Sequence, residues 1–233
     1  MPDYRPAEPH GPIVEVYPDV FMVTGRFSFA PGVAISRNMT ILRHGGELTF
    51  VNAVRLSPPG EAEIEKLGKP MHLARIGAFH GADDPWYMHR FGTTLWAPAG
   101  MQHSGGLKTG EELRDGHCPI PGASVFQFAK GKQPEVALRL DIDGGVLVTC
   151  DAYQNWTNFD DCSFLGGLMM RAMKFGPAII GGPWAKAMGP EVRADFERLM
   201  EEPFRQLIPG HGAVLKDEAK AGLKGAIGRR FGG

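Results

Sequence analysis

Short β-forming runs come in two batches, each followed by helix, and this order limits the possible folds more than any other feature of the chain. The first batch is Ile13–Tyr17, Val20–Thr24, Arg37–Leu42 and Leu48–Val51, runs of β-branched and aromatic residues. His44-Gly45-Gly46 separates the last two and predicts a hairpin turn. Ser57-Pro58-Pro59-Gly60 stops the sheet, and Glu61 to Leu67 predicts a short acidic helix after a proline-bearing start. Met71–Ile76 and Leu95–Ala97 return to strand, and residues 101–123 are Gly- and Pro-rich loop. The second batch is Ser124–Phe128, Val136–Asp141 and Val146–Thr149, with Asp143-Gly144-Gly145 as a turn. Ser163–Lys174 and Pro190–Met200 predict helices, Arg205–Ile208 a last strand and Lys216–Ile227 a last helix. Val192, Phe196, Leu199 and Met200 fall at helical spacing. Strands followed by helix, twice over, fit an α/β or α+β chain with two packed sheets and helices on the outer faces.

Length and hydrophobic content, 233 residues and 43%, suffice for one substantial core. Residues 1–12, rich in Pro and charge, predict an extended arm, and 13–233 a single domain. A net charge of −1 advertises no basic face, so nucleic acid is not an expected partner. Cys118, Cys150 and Cys162 are too few and too scattered for a disulfide framework. The first residues lack the basic and apolar regions of a signal peptide, so a reducing cytoplasm is the expected setting. No run approaches the ~18 apolar residues of a membrane span, and no membrane partner is expected.

Groups able to hold a metal or move a proton concentrate in three places. His80, Asp83 and Asp84 follow an apolar run, where strand ends present functional groups. The same residues also suit a plain structural role, with His80 capping the strand and Asp84, ahead of Pro85, capping a helix. Asp151 follows Val-Leu-Val-Thr-Cys, and a carboxylate at such a tip must be paired, hydrogen-bonded or metal-bound if buried. Strand alternation turns Cys150 to the opposite face, as a small core residue. His211 stands in Pro209-Gly210-His211-Gly212, where flanking glycines allow a tight turn that holds the imidazole out. The other histidines (His10, His44, His72, His103, His117) read as arm, turn, strand and loop residues. The apolar segment 163–189, rich in Met and Gly, suits core, a subunit interface or a cover over an apolar-substrate pocket. Nucleophile-elbow, phosphate-loop and dinucleotide fingerprints are missing, as is any Cys-x-x-Cys pair.

Taken in order, these pieces resemble the metallo-β-lactamase superfamily. Asn38–Leu42 and Leu48–Asn52 resemble its opening hairpin, Val148–Ala152 its Asp-bearing strand, and Leu207–Gly212 its last motif. The resemblance covers residues 13–215 and implies an αββα sandwich, two mixed β-sheets flanked by helices, with a metal site at one edge. Laid on His-x-His-x-Asp-His, residues 80–85 keep His80 and Asp84 and place Ala82 and Pro85 at the other two ligand positions, so Asp83 drops out. The middle histidine has no counterpart near Gly131. Of seven ligand positions, His80, Asp84, Asp151 and His211 are matched. Phe79-His80, Trp86, Leu95-Trp96-Ala97-Pro98 and Asn155-Trp156 also resemble a subgroup, uncharacterised in function, that replaces the metal motif.

The resemblance implies a degenerate site with room for one divalent ion (Zn²⁺, Mn²⁺ or Fe²⁺) on Asp84, Asp151 and His211. His80 is then a fourth ligand, a general base or a water holder, and His89 or His103 a spare ligand. In the metal-free case His80, Asp84 and His211 are left as acid and base. The expected activity is hydrolysis of a small-molecule ester, lactone or thioester. The alternative is a metal-free, non-catalytic binding protein that keeps the fold. A homodimer is the expected assembly.

Overall fold

The computed structural model describes residues 4–232. The first sheet has seven strands: β1 (Val14–Tyr17), β2 (Val20–Ala30), β3 (Val33–His44), β4 (Glu47–Val51), β5 (Lys69–Ala74), β6 (Thr94–Ala97) and β7 (Glu111–Glu112), in that spatial order. Pairing is antiparallel from β1 to β4 and parallel from β4 to β7. The second sheet holds β8 (Ser124–Gln127), β9 (Val136–Leu140), β10 (Val146–Val148) and β11 (Gln206–Ile208), in the order β11-β10-β9-β8. Here β10 and β11 are parallel and the other pairs antiparallel. Both sheets are therefore mixed, and the expected αββα sandwich is what the chain forms.

Side-chain alternation builds three apolar layers from two sheets. Leu42, Val51, Ala74 and Trp96 point inward and meet Leu138, Val146, Val148 and Ile208 of the second sheet. Their neighbours Ile41, Phe50, Leu73 and Leu95 point outward, onto α1 (Pro58–Leu67) through Ile64 and onto α2 (Asp84–Phe91) through Trp86 and Tyr87. On the far side Ala137, Leu147 and Leu207 are covered by α4 (Gly182–Met188), α5 (Val192–Leu199) and α6 (Ala219–Phe231). In α5 the predicted spacing holds: Val192, Phe196 and Leu199 are all fully buried. The remaining helix, α3 (Phe164–Ala172), is capped by Ser163, whose hydroxyl accepts from Gly166 N at 3.1 Å.

Several boundaries differ from expectation. β2 and β3 run on to a turn at Pro31-Gly32, well past Thr24 and Arg37. The prolines 58 and 59 open α1 instead of preceding it, because a first helical turn needs no proline N–H. The segment 163–189 divides: α4 buries Trp184 and Met188, while α3 exposes Phe164, Leu165 and Leu168. Residues 1–3 of the expected arm lie outside the described residues. Its remainder runs along β2, with Gly11 N donating to Thr24 O and Arg26 N to Pro9 O. No helix among the described residues is long and apolar enough to cross a membrane.

Candidate metal centre

Three of the four matched residues meet at one edge of the sandwich, each carried there by the end of an element. His80 follows β5, Asp151 follows β10, and His211 follows β11. The β10–β11 pair places the last two side by side. Cross-links tie the edge together: Asn38 N donates to Gly210 O, and Asn38 Nδ2 donates to Pro209 O and Gly212 O. His80 Nε2 lies 3.1 Å from His211 Nε2 and 3.5 Å from Asp151 Oδ2. His211 Nε2 lies 3.2 Å from Asp151 Oδ1. All three residues are buried.

The surroundings fix two of the three groups. His211 Nδ1–H donates to Ser36 O at 2.6 Å, and this leaves the Nε2 lone pair facing the cluster. The ring also stacks on Trp156, centroids 5.4 Å apart and planes at 17°. Asp151 Oδ1 accepts from Gln154 Nε2 at 3.1 Å, and Gln154 Oε1 accepts from Trp156 Nε1 at 2.7 Å. Burial works against the Asp151 carboxylate, but the neighbouring His80 and His211 side chains outweigh it and hold the carboxyl below its ordinary range. Burial pushes the His80 imidazole down to about 3, so it is neutral at pH 7.

His80 Nδ1 is buried without a partner. If that nitrogen carries the proton, His80 Nε2, His211 Nε2 and Asp151 present only lone pairs to one another. If Nε2 carries it, one proton serves His211 and Asp151 Oδ2, and the 3.2 Å contact from His211 Nε2 to Asp151 Oδ1 is still unmatched. A cation at the centre resolves all three contacts at once. Tetrahedral zinc with ligands at ~2.0–2.1 Å separates its donors by about 3.3–3.4 Å. The 3.1, 3.2 and 3.5 Å contacts are close to that edge length, with the Asp151 corner divided between its two oxygens, Oδ1 toward His211 and Oδ2 toward His80. A backbone carbonyl holding the far nitrogen of His211 is also the usual support for a ligating imidazole. The donors present fit a single divalent ion.

Asp84 is placed apart. It forms the first residue of α2, fully buried, with no hydrogen bond or ion pair to His80, Asp151 or His211. Burial raises its carboxyl to about 6, and its Oδ2 has no partner. Asp83, the neighbour that motif alignment set aside, is the N-cap of α2 and pairs with Arg37 in a buried ion pair, while also accepting from Arg55 N at 2.8 Å. The spare ligands are elsewhere as well. His103 is held by Arg75 at 3.1 Å and Thr109 at 2.8 Å, and the exposed His89 lies against Tyr4.

The expectation for Cys150 needs correcting. The strand ends at Val148, so alternation no longer separates neighbours, and Cys150 Sγ sits 3.5 Å from Asp151 Oδ2. His80, Cys150 and Asp151 each offer a donor atom within 4.8 Å of the others. The thiol still packs in the inter-sheet core, and burial pushes it up, keeping it protonated.

Glu135 and Arg37 lie beside the site and carry no motif signal. Glu135 stands directly before β9. Its Oε1 accepts from Asp151 N at 3.1 Å and Ala152 N at 2.9 Å, and its Oε2 from Trp184 Nε1 at 2.7 Å. Burial, then the Asp151 charge, raises its carboxyl well above the usual range. The only local signals are a carboxylate at the mouth of an apolar strand and an arginine within one.

No family model matches the chain, and no curated protein matches it significantly. Solved structures do. The DIM-1 metallo-β-lactamase is 11% identical, covers 93% of this chain and 96% of its own, and superposes with a TM-score of 0.69. The metallo-β-lactamase FIM-1 from Pseudomonas aeruginosa, solved in a mono-zinc form, is 13% identical over 96% of this chain and 97% of its own, with a TM-score of 0.67. A metallo-β-lactamase from Pontibacter korlensis gives 11%, 92%, 97% and 0.65. The chain has the metallo-β-lactamase fold.

Proposed function

We propose that the protein is a hydrolase that uses one divalent metal ion, zinc being the best fit, on His80, Asp151 and His211. The observation that carries this reading is the approach of the His80 and His211 nitrogens to each other and to the two oxygens of the Asp151 carboxylate, at 3.1 to 3.5 Å, close to the donor spacing of a tetrahedral ion. A neutral His80 supports it, since a protonated imidazole cannot ligate. Three protein ligands leave a position open, the arrangement of catalytic rather than structural zinc.

The ion would supply Lewis acidity and a water acidic enough to attack at neutral pH. Within the chain, Ser36 O and Trp156 orient the His211 ring, Gln154 orients the Asp151 carboxylate, and Glu135 fixes the backbone of Asp151 and Ala152. Asp84 does not join the ligands in this reading. Its substrates are small-molecule esters, thioesters or lactones.

Elemental analysis of protein purified without chelator tests the reading. One equivalent of metal is expected, with loss in each of His80→Ala, Asp151→Ala and His211→Ala and retention in Asp84→Ala. No metal above background after addition of Zn²⁺ or Mn²⁺ would overturn it in favour of a metal-free protein.

A further inference from the structure

Eight large hydrophobic side chains are exposed among the described residues, and six of them belong to one end of the molecule: Phe29, Phe79, Phe164, Leu165, Leu168 and Met173. The helix α3 supplies most of this patch. Its sequence, Phe-Leu-Gly-Gly-Leu-Met-Met-Arg-Ala, holds a single charged residue. It buries Gly166, Gly167 and Met170 and turns Phe164, 86% exposed, with Leu165 and Leu168 to solvent. A Cβ on Gly166 would lie 2.0 Å from Ala34 O, and the Ser163 hydroxyl that caps α3 accepts from Ala34 N at 2.9 Å. The glycine side is therefore locked against β3, and the large apolar residues cannot rotate inward. A helix so apolar is ordinarily covered all round.

The patch extends from α3 onto the rim of the candidate site. Leu165 Cδ1 lies 3.4 Å from where Gly32 would carry a Cβ, in the turn between β2 and β3, and Phe29 is three residues before that glycine. Phe29 and Phe79 line the cavity of about 220 Å³ that also meets His80, Asp151 and His211, and both are about half exposed. At roughly 200 Å² for each large apolar residue, the exposed fractions amount to about 600 Å². That is at the upper limit of the largest apolar patch on a typical monomer.

We propose that this face pairs with a second copy of the chain. Two copies would cover about 1,200 Å² of apolar surface. At the ~65% apolar share of homodimer interfaces, the total is about 1,800 Å², within the range of stable complexes. Phenylalanine, methionine and arginine are also the residues such interfaces favour. The charges around the patch carry both signs. Asp160 and Asp161 precede α3, Arg171 and Lys174 lie in and after it, and Arg26 donates to Asp161 O at 2.8 Å. A two-fold pair sets each surface against itself, so a border of one sign would repel its own copy, and this border is close to neutral. Recognition of an anionic membrane takes a cluster of roughly four to eight basic residues, which is missing here. Pairing brings the partner's surface over the Phe29–Phe79 rim of the cavity.

Sedimentation velocity on the full chain, from about 1 to 100 µM, tests the proposal. The parent should move from monomer to dimer within that range. Phe164→Glu and Leu168→Asp, both at exposed positions, should be monomeric throughout with unchanged far-UV dichroism. Leu168→Ser, a milder change made in both copies at once, should weaken the dimer about tenfold or more. Val14→Asp, at an exposed apolar residue outside the patch, is the control and should stay dimeric. A dimer that survives the α3 substitutions overturns the proposal, as does a parent that is monomeric at 100 µM. In the second case flotation with phosphatidylcholine vesicles, with and without phosphatidylglycerol, separates a lipid surface, which carries the protein upward, from an unrelated protein partner, which leaves it behind. Metal content and hydrolysis do not enter these readouts, so failure of the hydrolase reading leaves the result standing.

Discussion

His80 Nε2 and His211 Nε2 face each other at 3.1 Å, though 131 residues separate them in the chain. Neither ring can move freely: His211 is pinned by Ser36 O and Trp156, and His80 is buried on a tight stretch after β5. Two such rings at this distance either share one proton between their nitrogens or hold a cation together, and the second case makes the edge of the sandwich a metal site in our reading.

If an ion resolves those contacts, it stabilises the fold as well. At a free concentration a thousandfold above its dissociation constant, a ligand specific to the native state contributes about 4 kcal/mol. For a chain of this size that corresponds to a melting temperature higher by about 8–16 °C. EDTA should therefore lower the melting temperature of the unmutated protein and leave that of His211→Ala unchanged. Equal responses of the two proteins would contradict the assignment of His211 as a ligand.

Asp84 carries a pH signature of its own. Burial raises its carboxyl from 3.8 to about 6 in the folded chain, so the folded state binds the proton more tightly than the unfolded state. The sign is a penalty at high pH: absent below 3.8, growing as pH rises, and complete above about 6. The move corresponds to about 3 kcal/mol. Asp84→Asn should raise stability at pH 7 by up to about that amount, and change it little at pH 3.5. Urea unfolding of both proteins across pH 3.5–7.5 checks this. A variant less stable than the parent at pH 7 would show that Asp84 has a partner that compensates its charge.

Asp83, next in sequence, should behave in the opposite way. It neutralises the buried Arg37 guanidinium, and removal of one member of such a pair typically costs ~3–5 kcal/mol. Asp83→Ala should be strongly destabilised and Arg37→Met, Asp83→Leu together much less so. A double-mutant cycle by denaturant titration measures the difference, and additive losses would rule out the coupling.

The contrast between these two aspartates shows where reading the sequence succeeds and where it stops. The layer order, the β10 strand ahead of Asp151 and the Pro-Gly-His-Gly turn are written locally, in alternation and turn chemistry. Local signals therefore located three of the cluster's residues. Ser36, Arg37, Gln154 and Glu135 act across sequence gaps or out of sheet register, and no local pattern marks a residue whose role is set by what packs against it. Motif alignment prefers Asp84 to Asp83 by position; the fold gives Asp83 to Arg37, and Asp84, buried at the start of α2, makes no hydrogen bond or ion pair with the cluster. Strand periodicity places Cys150 by extrapolation two residues beyond Val148, where the strand ends.

Gly212 tests how the last motif positions its histidine. Its φ is +85°, and a Cβ there would lie 2.0 Å from Asn155 O, a backbone atom that cannot step aside. The same carbonyl accepts from Ala213 N at 2.8 Å, and Asn155 N donates to His211 O at 3.2 Å, so the two chains are tied on both sides of the glycine. Gly212→Ala must either strain the left-handed backbone or part these strands, and parting them carries His211 away from Asp151. The expected result is a melting temperature lower by several degrees, at ~2–4 °C per kcal/mol, together with loss of bound metal. Gly228→Ala, on α6 where an added Cβ meets nothing within 4 Å, is the control and should retain both. Metal bound at full stoichiometry in Gly212→Ala would show that the turn can relax without displacing the imidazole.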